Sequence, residues 1–150
     1  MQIAQSRDWT QVRRDWETFE TTGTLPEGLD PFPFIGMQGP SVFRWAVTQM
    51  TPVVSEVLAA AGLGPDDIDV FVPHQANVRI IDAMTKKLDL PERVVVARDD
   101  MADMANTSAA SIPLALTRLV REGRAKSGDL ALLMGFGAGL AWAGQVVRLP

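Results

Sequence analysis

The 150-residue sequence contains no cysteine. Without a thiol, the chain can form neither a disulfide nor a thiolate metal site, and it cannot supply a cysteine nucleophile. Histidine occurs once, as His74, and one histidine without cysteine cannot complete a zinc site. We therefore expect no metal site in this chain and no cofactor held by one.

Long apolar runs and an excess of positive charge are also missing. No run approaches the roughly 20 apolar residues that cross a bilayer, and residues 1–14 are too polar for the core of a secretory signal. The formal net charge of −4 gives no general attraction to nucleic acid or to an anionic membrane. We expect a globular cytoplasmic protein whose partners include neither.

The spacing of apolar residues predicts helices that alternate with buried strands. Helices are expected within residues 1–22, from an N-cap at Ser41 to Gly62, at 78–88 and at 108–122; strands are expected at 69–73, 93–97, 130–134 and 140–149. Residues 23–40, rich in proline and glycine, are predicted to form an irregular connection, and residues 99–104 a loop. From residue 41 the order is α-β-α-β-α-β-β, which indicates an α/β fold with a mixed sheet, packed helices and a final antiparallel pair.

Polar segments follow three of these predicted strands. They are His74-Gln-Ala-Asn77, Asn106-Thr-Ser108 and the glycine-rich Gly135–Gly139. Because ligands of open α/β sheets bind at the carboxyl ends of the strands, we expect the three segments to meet at one edge.

Each of these segments has two interpretations. His74 is either an acid–base or donor group at a reacting carbonyl, or a residue at a helix start that bonds to the backbone. Asn106 is either an N–H donor to an oxyanion or a helix cap. The residue 135–139 bend is either a source of a backbone N–H donor or a hairpin turn, and Arg79 is either a phosphate ligand or a solvated surface residue.

Three blocks of sequence resemble a known family. They are Val72-Pro-His74-Gln-Ala-Asn77-Val-Arg79-Ile-Ile81, Asn106-Thr-Ser-Ala-Ala-Ser-Ile-Pro113 and Gly128-Asp-Leu-Ala-Leu-Leu-Met-Gly-Phe-Gly-Ala-Gly139. In this order and at these separations they resemble the C-terminal half of β-ketoacyl-ACP synthase III. The likeness covers about residues 9–150. It implies a thiolase-like half-domain at residues 41–150, preceded by a helix and connection at 1–40.

The resemblance also implies an activity. In this family an acyl-CoA acylates a cysteine on the N-terminal half; malonyl-ACP then loses CO2, and its carbanion attacks the thioester. The implied function is decarboxylative condensation in fatty-acid or polyketide initiation, with no cofactor. The implied partners are acyl carrier protein, CoA thioesters, a Cys-bearing N-terminal half and a second copy in a homodimer.

By the matching motifs, the resemblance assigns roles to individual residues. His74 and Asn106 would stabilise the enolate oxygen that forms on decarboxylation. A backbone N–H within Phe136-Gly137-Ala138 would complete the oxyanion hole of the acylation step. Asn77 would line the pantetheine channel, and Arg79 would lie near its mouth.

The sequence departs from the family pattern in two ways. Because the nucleophile is absent, we expect the chain alone to be inactive, and a non-catalytic CoA- or ACP-binding or interaction domain is the alternative function. Ala105 stands where the family usually has glycine before Asn106, and its Cβ either fits there or shifts the Asn106 side chain.

Overall fold

The computed structural model describes residues 9–24 and 38–150. Its helices are α1 (Trp9–Thr22), α2 (Gly39–Ala60), α3 (Val78–Leu88), α4 (Asp100–Met104) and α5 (Ser111–Arg121); its strands are β1 (Val70–Pro73), β2 (Val95–Val96), β3 (Leu130–Phe136) and β4 (Trp142–Arg148). Short 3₁₀ turns lie at Pro65–Asp67, Ser108–Ala110 and Ala138–Leu140. Most of the predicted 23–40 connection lies outside the described residues.

The four strands form one mixed sheet in the order β2-β1-β3-β4. Strand β1 pairs in parallel with both β2 and β3, while β4 runs antiparallel to β3. The predicted α/β class, mixed sheet and final antiparallel pair are confirmed. Since parallel strands point the same way, the carboxyl ends of β1 and β3 emerge together at one edge of the sheet.

Both faces of the sheet are covered, as a largely parallel sheet requires. On one face, Phe71 and Leu132 pack in a cluster with Met50 and Leu58 of α2 and Met84 of α3. The second face carries Val70, Val72 and Ala131, which pack with Ala115 and Leu119 of α5. The alternation of side chains along β1 therefore feeds two cores, which explains why its sequence is apolar at every position.

The starts of two helices differ from the prediction. Helix α2 begins at Gly39 rather than after an N-cap at Ser41, because Pro40 suits the first turn, where the missing N–H has no partner to lose. The predicted helix at 108–122 instead starts as a 3₁₀ turn, and α5 follows only from Ser111. Ser108 has a φ of 55°, which an α-helix cannot contain.

The prediction of a loop at residues 99–104 is wrong. Most of these residues form the short helix α4, which is attached to α5 by ion pairs. The Arg118 guanidinium lies 3.1 Å from the buried carboxylate of Asp100 and 2.6 Å from that of Asp103. Because a five-residue helix has little stability of its own, we attribute the stability of α4 to these ion pairs with α5.

The strand boundaries also differ from the predicted ones. Strand β2 covers two residues rather than the predicted five, whereas β3 continues two residues beyond Met134 into the glycine-rich segment. The chain then makes a 3₁₀ turn, in which Gly139 and Leu140 have positive φ, before β4 starts at Trp142. The glycine-rich bend predicted at residues 135–139 is therefore present, but its turn lies at 138–140. None of the described helices is long and apolar enough to span a membrane.

A substitution at Gly144 of β4 would test how closely α2 packs on the sheet. A Cβ at this position would lie 2.7 Å from Val57 Cγ2 and would also overlap Met134 Sδ. We expect Gly144→Ala to lower the free energy of unfolding by about 1–3 kcal/mol, the usual cost of overpacking a core. Urea-induced unfolding measures this change. Gly135 is the matched control, because its added Cβ has nothing closer than 3.7 Å. Equal stability of the two variants would contradict this packing.

Candidate functional site

A cavity of about 900 Å³ opens at the sheet edge where β1 and β3 end. Every residue to which the sequence assigned a functional role lies on its wall: His74, Asn77, Arg79, Asn106, Phe136, Gly137 and Ala138. The remaining lining comes from the N-terminal part of α2, from α3 and from two neighbouring connections: Gly39, Pro40, Val42 and Phe43; Ile80; and Ala76 and Ser108. The predicted convergence of three polar segments at one edge is therefore confirmed as a matter of geometry.

His74 is the first residue after β1, and its backbone N–H donates to the Met134 carbonyl oxygen at 2.7 Å. Its ring meets the Phe136 ring edge-on, with centroids 5.2 Å apart. Its Nδ1 lies 2.6 Å from the hydroxyl oxygen of Ser111. Burial lowers the pKa of His74, since removing water penalises the charged imidazolium. The imidazole is thus neutral at neutral pH and can act as an uncharged donor or acceptor.

Asn106 lies in the loop between α4 and the Ser108–Ala110 turn. Its side-chain oxygen accepts a hydrogen bond from the Ser108 backbone N–H at 2.9 Å. This bond occupies the acceptor end of the amide and leaves its NH₂ group as the end available to the cavity. Asn106 lies next to the N-cap residue Thr107 rather than at a cap position. Its bond to the Ser108 backbone and the proposed donor role are compatible, because they use opposite ends of one side chain.

The end of β3 and the turn after it offer the backbone N–H groups of Phe136, Gly137 and Ala138, and the Gly137 N–H is already engaged. Gly137 donates to the Ala141 carbonyl oxygen at 2.9 Å, which closes the hairpin. Because hydrogen-bonded and non-hydrogen-bonded pairs alternate along an antiparallel ladder, the Phe136–Trp142 pair next to it turns the Phe136 N–H away from β4 towards β1. Ala138 begins a 3₁₀ turn, and an N–H at such a start has no acceptor within the turn.

Asn77 and Arg79 lie at the start of α3. The Asn77 side-chain oxygen caps this helix by accepting from the Arg79 N–H at 2.9 Å. Both residues line the cavity, and Arg79 is exposed there. As the Ser108 N–H does at Asn106, the Arg79 N–H occupies the amide oxygen and leaves the NH₂ group available to the cavity. The described residues contain no group of three or more His, Cys, Asp or Glu side chains that could hold a metal ion.

Two features of the site were not predicted. Ser111 is 1% exposed and contacts His74, and Gln75, equally buried, donates from its side chain to the carbonyl oxygens of Pro73 and Ala97 at 2.7 and 3.0 Å. Gln75 thereby ties the end of β1 to the segment after β2. What distinguishes Ser111 and Gln75 is that they are polar residues at buried positions. The sequence alone does not reveal this, because it does not show which positions are buried.

Ala105 has a φ of 57° and a ψ of −154°, a conformation that is almost restricted to glycine. Ser108 also has positive φ, so strained residues flank Asn106 on both sides. The Cβ of Ala105 is therefore accommodated at a conformational cost.

Comparison with known proteins gives one consistent family. Residues 58–149 match the model of the 3-oxoacyl-[acyl-carrier-protein] synthase III C-terminal region. The chain is 60% identical over 140 residues to β-ketoacyl-[acyl-carrier-protein] synthase III 1 of Streptomyces coelicolor, which covers 90% of this chain and 40% of that protein. It is 54% identical over 136 residues to the mycobacterial synthase III of Mycobacterium tuberculosis, covering 91% of this chain and 39% of the relative.

Solved structures agree with these matches. The synthase III of Pseudomonas aeruginosa superposes with a TM-score of 0.79 at 36% identity, covering 99% of this chain and 41% of that one. The priming β-ketosynthase from the R1128 polyketide biosynthetic pathway gives 0.78 at 43% identity, covering 99% and 44%. The thiolase-like architecture expected from the sequence is confirmed. The chain spans about two-fifths of the length of the curated relatives it matches.

The strain at Ala105 predicts an unusual substitution effect. Replacing Ala105 with glycine should raise the free energy of unfolding by about 1 kcal/mol, because the relief of strain exceeds the added flexibility of the unfolded chain. Three residues earlier, in α4, Ala102→Gly should lower it by a similar amount, since glycine weakens a helix. Chemical denaturation measures both, and a destabilising Ala105→Gly would contradict the strained conformation.

The burial of His74 predicts its titration. An NMR titration of the single histidine should give a pKa below the ordinary 6.5. The unfolded chain then binds its proton at higher pH than the folded chain, so the free energy of unfolding should fall as the pH drops below about 6.5 towards the folded-state pKa. His74→Gln should remove this contribution. A measured pKa at or above 6.5 would show that the ring is not desolvated.

Proposed function

Because this chain belongs to the β-ketoacyl-[acyl-carrier-protein] synthase III family and matches its C-terminal region, we propose that it supplies the oxyanion-stabilising half of a decarboxylating condensing enzyme. The reaction joins an acyl group from acyl-CoA to malonyl-ACP in fatty-acid or polyketide initiation. The observation that carries the proposal is that His74 and Asn106 line one cavity at the sheet edge. A Cys-bearing N-terminal half supplies the nucleophile.

The chemistry of decarboxylation explains the need for this pair. When the malonyl thioester loses CO2, the electrons of the broken C–C bond move into an enolate whose negative charge lies on the thioester oxygen. Two N–H donors aimed at that oxygen lower the barrier by several kcal/mol in a site that excludes water. Neither donor has to carry a charge, so the lowered pKa of His74 does not impair the role.

Acylation and condensation place charge on a different oxygen, that of the tetrahedral intermediate at the cysteine. Among the three backbone groups considered, the Gly137 N–H already donates to Ala141, and Phe136 lies within the sheet. We therefore assign the donor on this chain to the Ala138 N–H, with the cysteine backbone N–H as its partner. Such donors typically contribute about 2.7–4 kcal/mol each to the transition state.

We place Asn77 and Arg79 at the entrance of the cavity, because both line it and both are exposed. An exposed guanidinium beside a partly apolar channel suits the phosphate groups of CoA or of the phosphopantetheine arm of acyl carrier protein. Phe43 and Val42 offer apolar surface to the intervening pantetheine chain. This arrangement supports CoA thioesters and acyl carrier protein as partners.

The complete enzyme is proposed to be a cytoplasmic homodimer that needs no cofactor, since donors, a cysteine and the two thioesters account for every step. A non-catalytic CoA- or ACP-binding domain is the second candidate, and the absence of cysteine favours it for the chain by itself. The presence of both His74 and Asn106 in one cavity favours the catalytic proposal, because simple binding does not require an oxyanion donor pair.

A complementation experiment separates these candidates. The chain is assayed for malonyl-ACP decarboxylation and condensation alone and with the Cys-bearing N-terminal part of the Streptomyces coelicolor relative. We expect activity only in the mixture, and His74→Ala and Asn106→Ala should each reduce decarboxylation by about 10²–10³-fold, as the loss of an oxyanion donor does.

Gln49→Ala, on the exposed side of α2, is the control and should leave the rates unchanged. Association of the two parts is followed by analytical ultracentrifugation. Stable association without any turnover would contradict the catalytic proposal and favour the binding domain. Unchanged decarboxylation in both variants would remove His74 and Asn106 from the mechanism.

A further inference from the structure

We propose that Ser111 is a positioning residue that holds the proton of neutral His74 on Nε2, the ring nitrogen left for the cavity. The inference deepens the proposed function and rests on it, because it specifies how His74 becomes a donor. Ser111 does not itself line the cavity but contacts His74, which does.

The hydrogen bonds of the Ser111 hydroxyl determine the direction of its proton. Its oxygen lies 3.2 Å from the Gln75 backbone nitrogen and 2.6 Å from His74 Nδ1. A backbone N–H can only donate, so the Ser111 oxygen accepts from Gln75. The hydroxyl hydrogen then has His74 Nδ1 as its acceptor, which requires that Nδ1 carry no proton. In a neutral imidazole the proton must therefore be on Nε2.

The opposite tautomer would be penalised. With a proton on Nδ1, the Ser111 oxygen would receive two donors while its own hydrogen had to find another acceptor. Ser111 is only 1% exposed, so water cannot readily serve. A buried hydroxyl hydrogen without an acceptor is costly enough to shift a tautomer equilibrium strongly.

The position of Ser111 is itself fixed. It is the first residue of α5, whose apolar face packs on β1 and β3. Its other partner, Gln75, is held by two side-chain bonds to backbone carbonyl oxygens, at Pro73 and Ala97. The Gln75 backbone N–H therefore points at Ser111 from a segment held by two further hydrogen bonds, and the Ser111 hydroxyl cannot rotate away without losing both of its own.

The tautomer decides the chemistry that His74 can perform. With the proton on Nε2, the ring offers an N–H to a developing enolate oxygen. If the proton were on Nδ1, the cavity side of the ring would present a lone pair to that negative charge, which repels it. Partners that fix the tautomer of a metal-binding histidine typically change affinity or activity about 10–100-fold. Loss of the Ser111 hydroxyl should have an effect of similar size.

The single histidine makes a direct test feasible. The 150-residue chain is labelled with ¹⁵N-histidine and combined with an unlabelled Cys-bearing half, so that every imidazole signal belongs to His74. Long-range ¹H–¹⁵N spectra at neutral pH report which ring nitrogen carries the proton. We expect the Nε2–H form in the wild-type chain, and a mixed or reversed population in Ser111→Ala. Decarboxylation kcat should fall roughly tenfold or more, with a smaller change in KM.

Two further variants control this experiment. Thr117→Ala removes another hydroxyl of α5, which donates to the Pro113 carbonyl oxygen of the same helix. This variant should alter neither the spectrum nor kcat. Ser111→Thr keeps the hydroxyl and should restore the Nε2–H form and most of the activity.

The outcomes are distinguishable from a failure of the proposed function. A wild-type His74 with its proton on Nδ1 would overturn the inference without any variant, even if Ser111→Ala failed to fold. A Ser111→Ala variant that loses kcat but keeps the wild-type tautomer would reduce Ser111 to a structural role and also overturn it. An Nε2–H tautomer that depends on Ser111 in an assembly without turnover would leave the inference standing and refute the catalytic function.

Discussion

The parallel pairing of β1 with β3 brings together the two chain segments on which the cavity depends. The pairing runs from Val70 opposite Ala131 to Pro73 opposite Met134, and the His74 N–H continues it with a 2.7 Å bond to the Met134 carbonyl oxygen. This last bond places the histidine backbone directly beside the end of β3. Because both strands are buried on two faces, their register cannot shift without moving apolar side chains out of both cores.

A second regularity concerns how the polar side chains of the cavity are oriented. The amide oxygens of Asn77 and Asn106 are each occupied by a backbone N–H two residues later in the chain, and His74 Nδ1 by a buried hydroxyl. In each case the contact occupies one end of the side chain and leaves the opposite end, the His74 Nε2 or the amide NH₂ group, for the proposed role. A donor fixed in this way loses no conformational freedom when an anion forms, which is what makes preorganised donors effective.

The sequence predicted the class of fold, the order of elements and the residues around the cavity, since these depend on apolar periodicity and on short motifs. It did not predict α4, whose stability comes from Arg118 on another helix. It predicted a glycine-rich bend at 135–139, but not that the turn would lie at 138–140 with the non-glycine Leu140 at positive φ. The contact between His74 and Ser111 joins residues 37 positions apart. Such contacts depend on the packing of α5 against the sheet, and a local pattern contains no information on that packing.

The loop that carries Asn106 keeps its conformation although Ala105, the preceding residue, has an unfavourable backbone conformation. Its positive φ costs roughly 1–3 kcal/mol, as such conformations generally do. The cost is tolerated because its surroundings define the loop: α4 is held by Arg118 on one side, and the Asn106–Ser108 bond closes the turn on the other. Relaxing the strain by rotating Ala105 would displace Asn106, and a shift of about 1 Å at a reacting group can reduce the rate about a hundredfold. The position of the Asn106 amide is therefore set by contacts internal to this chain, so under the proposed function the Cys-bearing half would not have to position it.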